Sequence, residues 1–344
     1  MHDKLKAESW RVLKLNETPT KTFNEACLRW LHEKDHKKSI DDDKTKIEFF
    51  LKYFHNVPLK EITEDRIRLA TESMDNRKHR QNWELKRDSC LKQGKAVPEY
   101  IPKLVSQGTK SQHLSFMRSL LRAAYQWRWL DSVPIVKVNK PRNKRIRWIT
   151  KLEANNLITA AADHLKPVII FALSTGLRRS NIINLEWSQI DMQRKVAWIH
   201  PDEAKGGKAI GIALNDTACK VLRDQIGLHN RYVFVHTDVA YHQDGTKTKK
   251  IRKMRIDGNS AWKGALKRAG IEDFRFHDLR HTWASWLVQS GTPLHILQEM
   301  GGWESIEMVQ CYAHLAPNHL KEHAKRLDGF INEKDQAVLL QQVG

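Results

Sequence analysis

Four short segments of this 344-residue chain carry side chains whose types and spacing can do chemistry. The first runs Thr175-Gly176-Leu177-Arg178-Arg179-Ser180-Asn181-Ile182-Ile183-Asn184-Leu185. Gly176 permits a tight turn, Ile182, Ile183 and Leu185 give the following helix a buried side, and Arg178 falls in its first turn. A guanidinium and helix N-terminal amides can hold a phosphate together there, although an arginine near a helix start is more often simply solvated. The second is Lys205, in the turn Lys205-Gly206-Gly207-Lys208, where a lysine is more often exposed than catalytic.

The third segment is His277-Asp278-Leu279-Arg280-His281. His277 and Arg280, at i and i+3, share a helix face. His277 and His281, at i and i+4, also have the spacing of a zinc-binding helix. Two features oppose that reading. Asp278 stands where such a helix needs a glutamate as general base, and Arg280 in the same turn would repel a dication. The fourth segment is Gly301-Gly302-Trp303-Glu304-Ser305, followed by Tyr312-Ala313-His314. Ser305 is positioned to cap a helix carrying Met308, Val309 and Tyr312, and taken alone Tyr312 would be core packing.

The elements that position these groups are mostly helices. Thr22 with Glu25 forms a capping box ahead of Phe23, Ala26, Cys27, Trp30 and Leu31 at helical spacing. Ile47, Phe50, Leu51 and Phe54 make a second apolar stripe, and Thr63 caps a third helix with Ile67 and Ala70. The longest helix spans about Lys110 to Trp129, with Leu114, Met117, Leu120, Leu121, Ala124 and Trp127 on one side and Lys110, Arg118 and Arg122 on its polar face. Residues 76–107 are polar and poorly periodic, which predicts a loop with one short helix. Thr150 with Glu153 opens a further helix, a second follows at Pro167–Leu173, and Asn215 caps a third. Val196–Ile199 and Ala209–Leu214 read as strands joined by the Lys205 turn. The fold class is therefore mainly α with one small β-sheet. Residues 1–19 form a short N-terminal segment, 20–132 a helical domain, 133–149 a basic linker, 150–315 a mixed α/β domain and 316–344 a C-terminal tail. The tail, ending in Val338-Leu339-Leu340, packs against a neighbour or frays; both readings stand.

Charge points to the partner. There are 59 Lys+Arg against 40 Asp+Glu, a net +19, a surplus for which nucleic acid is the commonest reason. Residues 101–150 hold eleven of the basic side chains and a single acid, Asp131. Lys137, Lys140, Arg142, Lys144, Arg145 and Arg147 follow one another without an acid between them, and Pro134 and Pro141 discourage a helix. Such an extended segment suits a strap across a phosphate backbone; the bland alternative is a solvated linker. The longest apolar run, Val168–Leu173, is far below the ~18 residues of a membrane span. Met1–Trp10 has no apolar stretch of a secretory signal. Cys27, Cys90, Cys219 and Cys311 lie far apart, which fits a reducing cytosol and no disulfide scaffold.

Taken together, Arg178, Lys205, His277-x-x-Arg280, Trp303 and Tyr312, in this order, resemble the tyrosine recombinase (phage integrase) family, most of all its prophage and genomic-island integrases. The resemblance covers about 150–315 with specific motifs. The N-terminal half is similar to the family's core-binding domain only in size, helicity and charge. Two positions depart from the pattern: Asn181 where glutamate is common, and Trp303 where histidine is common. Tryptophan keeps an N–H donor but cannot shuttle a proton.

The resemblance implies a metal-independent DNA strand-transferase for integration and excision, with no cofactor. It makes Tyr312 the nucleophile of a 3′-phosphotyrosyl intermediate, Arg178 and Arg280 the phosphate clamp and Lys205 the acid for the leaving 5′-oxygen. His277 becomes acid/base or hydrogen-bond partner, and Trp303 a donor and packing group. It further implies double-stranded attachment sites, a homotetramer on DNA, a host bending factor or excisionase as accessory, and action on the nucleoid in a bacterial cytoplasm, without membrane. With about twenty residues ahead of the first helix, no separate arm-site domain is expected. A dimer-resolving recombinase and a non-catalytic DNA-binding regulator on the same scaffold are the alternatives.

Overall fold

The computed structural model of the chain describes residues 20–138, 145–202, 209–241, 246–256 and 260–316, together with 324, 325 and 328. The chain divides into two compact units, residues 1–143 and 144–344, a division that falls within the basic stretch 133–149.

The first unit is helical. Helices α1 (Phe23–Glu33), α2 (Ile40–Phe54), α3 (Glu64–Glu72), α4 (Arg77–Lys92) and α5 (Gln107–Gln126) follow in order. The Thr22–Glu25 capping box closes both ways at the start of α1, and Thr63 and Ser106 cap α3 and α5. Phe23, Phe50, Phe54, Met117, Leu120 and Leu121 are completely or almost completely buried where α1 and α2 meet α5. Each such side chain contributes about 1.5–3 kcal/mol through removal from water, which is why the apolar stripes predict these helices well. The stretch 76–107 does not: α4 is a 16-residue helix, not a short one. Asn76 caps it, but it buries no residue, so no apolar period announces it.

The second unit is mixed. Its helices are α6 (Lys151–Ala160), α7 (Lys166–Thr175), α8 (Arg179–Ile183), α9 (Asp216–Gln225), α10 (Ser260–Arg268), α11 (Asp278–Gln289) and α12 (Leu294–Gly301). Strands β1 (Ile190–Asp191), β2 (Val196–Ile199) and β3 (Ile210–Ala213) form an antiparallel sheet in that order, with Val196 opposite Ala213 and Ile199 opposite Ile210. The apolar α7 runs through the centre and packs on α9 and α11. The expectation of one small sheet needs correction. Strands β4 (Val235–Tyr241) and β5 (Lys247–Lys253) make a second, two-stranded sheet. With Lys247, Lys249, Lys250, Arg252 and Lys253 in β5, no apolar alternation marks it as a strand. Among the described residues no helix is long and apolar enough to cross a membrane.

Candidate active site

Three chain reversals in the second unit bring the singled-out residues together. Gly176 ends α7 in the left-handed region, φ 64°, and a Cβ there would lie 2.2 Å from the Trp283 ring. Glycine is thus required by both backbone and space. Arg178 is the N-cap of α8, in extended conformation rather than in the first helical turn. Gly302 ends α12 at φ 60° and delivers Trp303. The tyrosine lies on a 3-10 turn, Gln310–Leu315, behind another at Ile306–Met308. Neither is the α-helix expected, and Ser305 makes no capping hydrogen bond.

Arg280, on α11, joins the reversals. It is 4% exposed, donates from Nη1 to the carbonyl of Gly176 at 2.8 Å and from Nη2 to that of Gly301 at 2.7 Å. Its guanidinium carbon lies 3.9 Å from the Trp303 ring centroid, and Trp303 in turn stacks on Trp283. Trp303 therefore forms the floor beneath the cation. Arg178, half-buried, donates to the Gly302 carbonyl at 3.4 Å. Burial lowers the Arg178 pKa against the opposing pull of Glu304. Burial first, then the charge of Arg178, lowers Arg280 to about 9, so it remains cationic at neutral pH. The Arg178 charge disfavours that of Arg280, so the electrostatics of the site improve when an anion arrives.

Tyr312 is 1% exposed. Its Oη lies 2.5 Å from Nδ1 of His281, not from His277. Burial pushes the phenol's pKa above its ordinary value, with the Arg280 charge opposing. His281 is lowered to about 4 by burial, followed by the neighbouring His277, so at neutral pH the imidazole is uncharged. His277, at the N-terminus of α11, is exposed, its ring 5.3 Å from that of His281. Sequence reasoning noticed His281 only as half of a metal pair. Its place directly after Arg280 in the motif was the available signal. No group of three metal-ligating side chains occurs among the described residues. Asn181, the departure from the family pattern, is buried, and its Nδ2 has no partner among the described residues.

Lys205 lies outside the described residues, as do Lys140, Arg142 and Lys144 of the basic stretch. Most of the other predicted DNA contacts have intramolecular partners. Lys110 donates to the carbonyl of Glu72 and Arg118 to that of Val136. Arg145 pairs with Asp273 and with the buried Asp278, while Arg147 donates to the carbonyl of Trp148. Lys137 is 80% exposed and 3.8 Å from Glu64, and Arg122 is exposed. Acids distant in sequence but adjacent in the fold thus neutralise Arg145, which a count along the chain could not reveal.

The profile of the Phage integrase family matches residues 147–319. The Integrase of Salmonella phage P22 is 62% identical over 329 residues, covering 95% of this chain and 85% of that protein. A solved lambda integrase dimer bound to a COC′ core site superposes with a TM-score of 0.59 at 16% identity, covering 90% of this chain and 85% of that one. A lambda integrase tetramer bound to a Holliday junction gives 0.58, also at 16% identity and with the same coverage.

Proposed function

The chain belongs to the phage integrase family of tyrosine recombinases, a DNA strand-transferase for site-specific recombination, and we propose how its own side chains divide that reaction. The observation that carries the assignment is the convergence of Arg280 on the Gly176 and Gly301 carbonyls, with Arg178 on Gly302 and Tyr312 behind Trp303.

The scissile phosphate sits against Arg178 and Arg280, whose charge meets the negative charge gathering on the non-bridging oxygens. The Oη of Tyr312 forms the bond to phosphorus as the bond to the 5′-oxygen breaks, giving a 3′-phosphotyrosyl ester. The phenol's proton passes to imidazole: Tyr312 rests against His281 here, and His277, on the exposed side, is the acceptor once the tyrosine has turned outward. The 5′-oxygen leaves with a proton from Lys205, a role supported by the resemblance alone. A 5′-hydroxyl from the second duplex then attacks the ester and restores a phosphodiester. The ester conserves the bond energy, so the scheme contains no nucleotide cofactor. In the arrangement described, Tyr312 is buried against His281, so it must turn outward before it reacts.

Double-stranded attachment sites as substrate and four protomers at the exchange step belong to the same proposal. It is supported by the likeness to a lambda integrase tetramer bound to a Holliday junction. Integration and excision of a phage genome, on the nucleoid of a bacterial host, is supported by the 62% identity to the P22 protein. A host bending factor or excisionase would set direction. The domain limits 20–132, 133–149 and 150–315 are proposed as core-binding domain, DNA strap and catalytic domain. The test is incubation with labelled duplexes carrying candidate attachment sites, in EDTA, resolved on a denaturing gel. A protein–DNA adduct is expected from the parent and none from Tyr312→Phe; an adduct that persists in that variant moves the nucleophile elsewhere.

A further inference from the structure

The second unit begins at Lys144, and the residue after it is held by two acids. Arg145 donates from Nη1 to the Asp273 carboxylate at 2.6 Å, from Nη2 to the carbonyl of the same residue, and from Nη2 to Oδ2 of Asp278 at 2.9 Å. Asp273 stands in the left-handed region, φ 45°, which aspartate visits more readily than most residues. Its carbonyl and its carboxylate thereby meet one guanidinium.

The two acids differ in kind. Asp273 is 81% exposed, so its pair with Arg145 contributes little in water. The Asp278 side chain is 5% exposed, and its Oδ2 also accepts from the N–H of Arg275 at 2.8 Å. A carboxylate withdrawn from water needs a cation, and among the described residues Arg145 supplies it. The Nε of Arg145 is buried without an acceptor among the described residues, so the two acids, not full satisfaction of the guanidinium, decide where it lies.

Beyond Arg145 the chain is laid along α11. The N–H of Ile149 donates to Oγ1 of Thr282 at 3.3 Å, and Nε1 of Trp286 donates to the Ile149 carbonyl at 3.0 Å. Asp278, Thr282 and Trp286 recur at every fourth residue and mark one face of the helix. His277, its N-cap, and Arg280 flank Asp278 in the first turn.

We propose that Arg145 is a positioning residue for strand cleavage: by neutralising Asp278 it holds the first turn of α11, with His277 and Arg280, in the arrangement that receives the phosphate. The inference rests on the recombinase reading above. It gives Arg145 a task within the catalytic unit instead of the phosphate contact that its place in a basic stretch suggests. Guanidinium and carboxylate act on the neighbouring imidazoles with opposite sign. At His281 burial dominates, followed by His277; of the smaller influences, Asp278 favours the protonated ring while Arg280 and Arg145 oppose it. The elements packed on α11 add Lys166 on α7, His295 and Glu299 on α12, and Cys311, Tyr312 and His314 on the 3-10 turn. Arg147 adds a further cation beside Arg145 in the chain. Without Arg145 the carboxylate favours imidazolium, so base is lost at higher pH; without Asp278 the shift runs the other way.

The test follows the rate of adduct formation by the full chain, at saturating protein on the labelled attachment-site duplex in EDTA, between about pH 5 and 9. Fluorescence anisotropy gives affinity and its salt slope. Arg145→Gln is expected to cleave about tenfold more slowly, with the acid limb of the profile about half a unit higher and affinity and slope unchanged. Arg145→Lys, which keeps the charge but not the fork, should return the limb to the parent's position and recover part of the rate. Asp278→Asn should move the limb downward, and Arg145→Gln/Asp278→Asn should bring it back. Circular dichroism checks each fold, and Arg145→Lys with Asp278→Asn carries the comparison if Arg145→Gln unfolds. An acid limb that stays in place, or moves the same way in both single variants, overturns the inference. So does weaker binding with a salt slope smaller by about 1 and an unchanged rate at saturation, which would make Arg145 a phosphate contact. If the parent forms no adduct, the recombinase reading fails, and NMR titration of the DNA-free, histidine-labelled chain decides the clamp. The signal missing in His281→Gln should titrate higher in Arg145→Gln than in the parent, and an unmoved midpoint overturns the clamp.

Discussion

Replacing Arg280 tests whether this side chain is part of the architecture as well as of the chemistry. Arg280→Ala removes two charged hydrogen bonds, at 2.8 and 2.7 Å, from a side chain 4% exposed. The carbonyls of Gly176 and Gly301 are then left without donor, at about 1–3 kcal/mol each. Loss of the contact with the Trp303 ring adds about 1 kcal/mol. Removing a buried cation returns part of its desolvation cost, and water entering the space relieves part of the rest. The net expected loss is about 3 kcal/mol. Urea unfolding of the full chain, followed by circular dichroism, reads it as an earlier midpoint of the transition belonging to the C-terminal unit. Arg280→Lys keeps the charge but not the fork, so it should recover only a minor part. Cleavage of the attachment site should fall by about 100-fold or more in both variants. A midpoint for Arg280→Ala within about 0.5 kcal/mol of the parent would refute the view that Arg280 ties the Gly176 and Gly301 turns together.

Three further outcomes follow from the same geometry. Gly176→Ala should cost about 3 kcal/mol, since it combines a left-handed backbone with a Cβ 2.2 Å from Trp283; an unchanged midpoint in urea would contradict this. Tyr312→Phe should lose the adduct but only about 1 kcal/mol of stability, that of the hydrogen bond to His281, and attachment-site affinity in anisotropy should stay at the parent's value. His281, held down to about 4 in the fold against ~6.5 unfolded, makes the unfolded chain bind the extra proton between those values. Its contribution is therefore intact above about pH 6.5 and is lost as the pH falls toward 4. Urea midpoints at the two ends of that window should lie closer together for His281→Gln than for the parent, and identical pH dependence would contradict the assignment.

Much of the molecule is written locally. Thr22 with Glu25 and Thr150 with Glu153 start helices by hydrogen bonds spanning three residues, so their types and spacing suffice. The stripe from Leu114 to Ala124 marks the buried side of α5 because burial repeats with the helical turn. The order of Arg178, His277, Arg280, Trp303 and Tyr312 is equally a property of the chain. Local rules fail where nothing is buried, as in α4, or where every residue of a strand is polar or charged, as in most of β5. They fail again wherever the partner lies far along the chain. That Arg280 binds carbonyls 104 and 21 residues away, that Asp273 and Asp278 take Arg145, and that His281 rather than His277 meets Tyr312 were decided by packing. Periodicity reports which side of an element leaves water. Only the assembled unit determines which donors and acceptors then face one another across the space that remains.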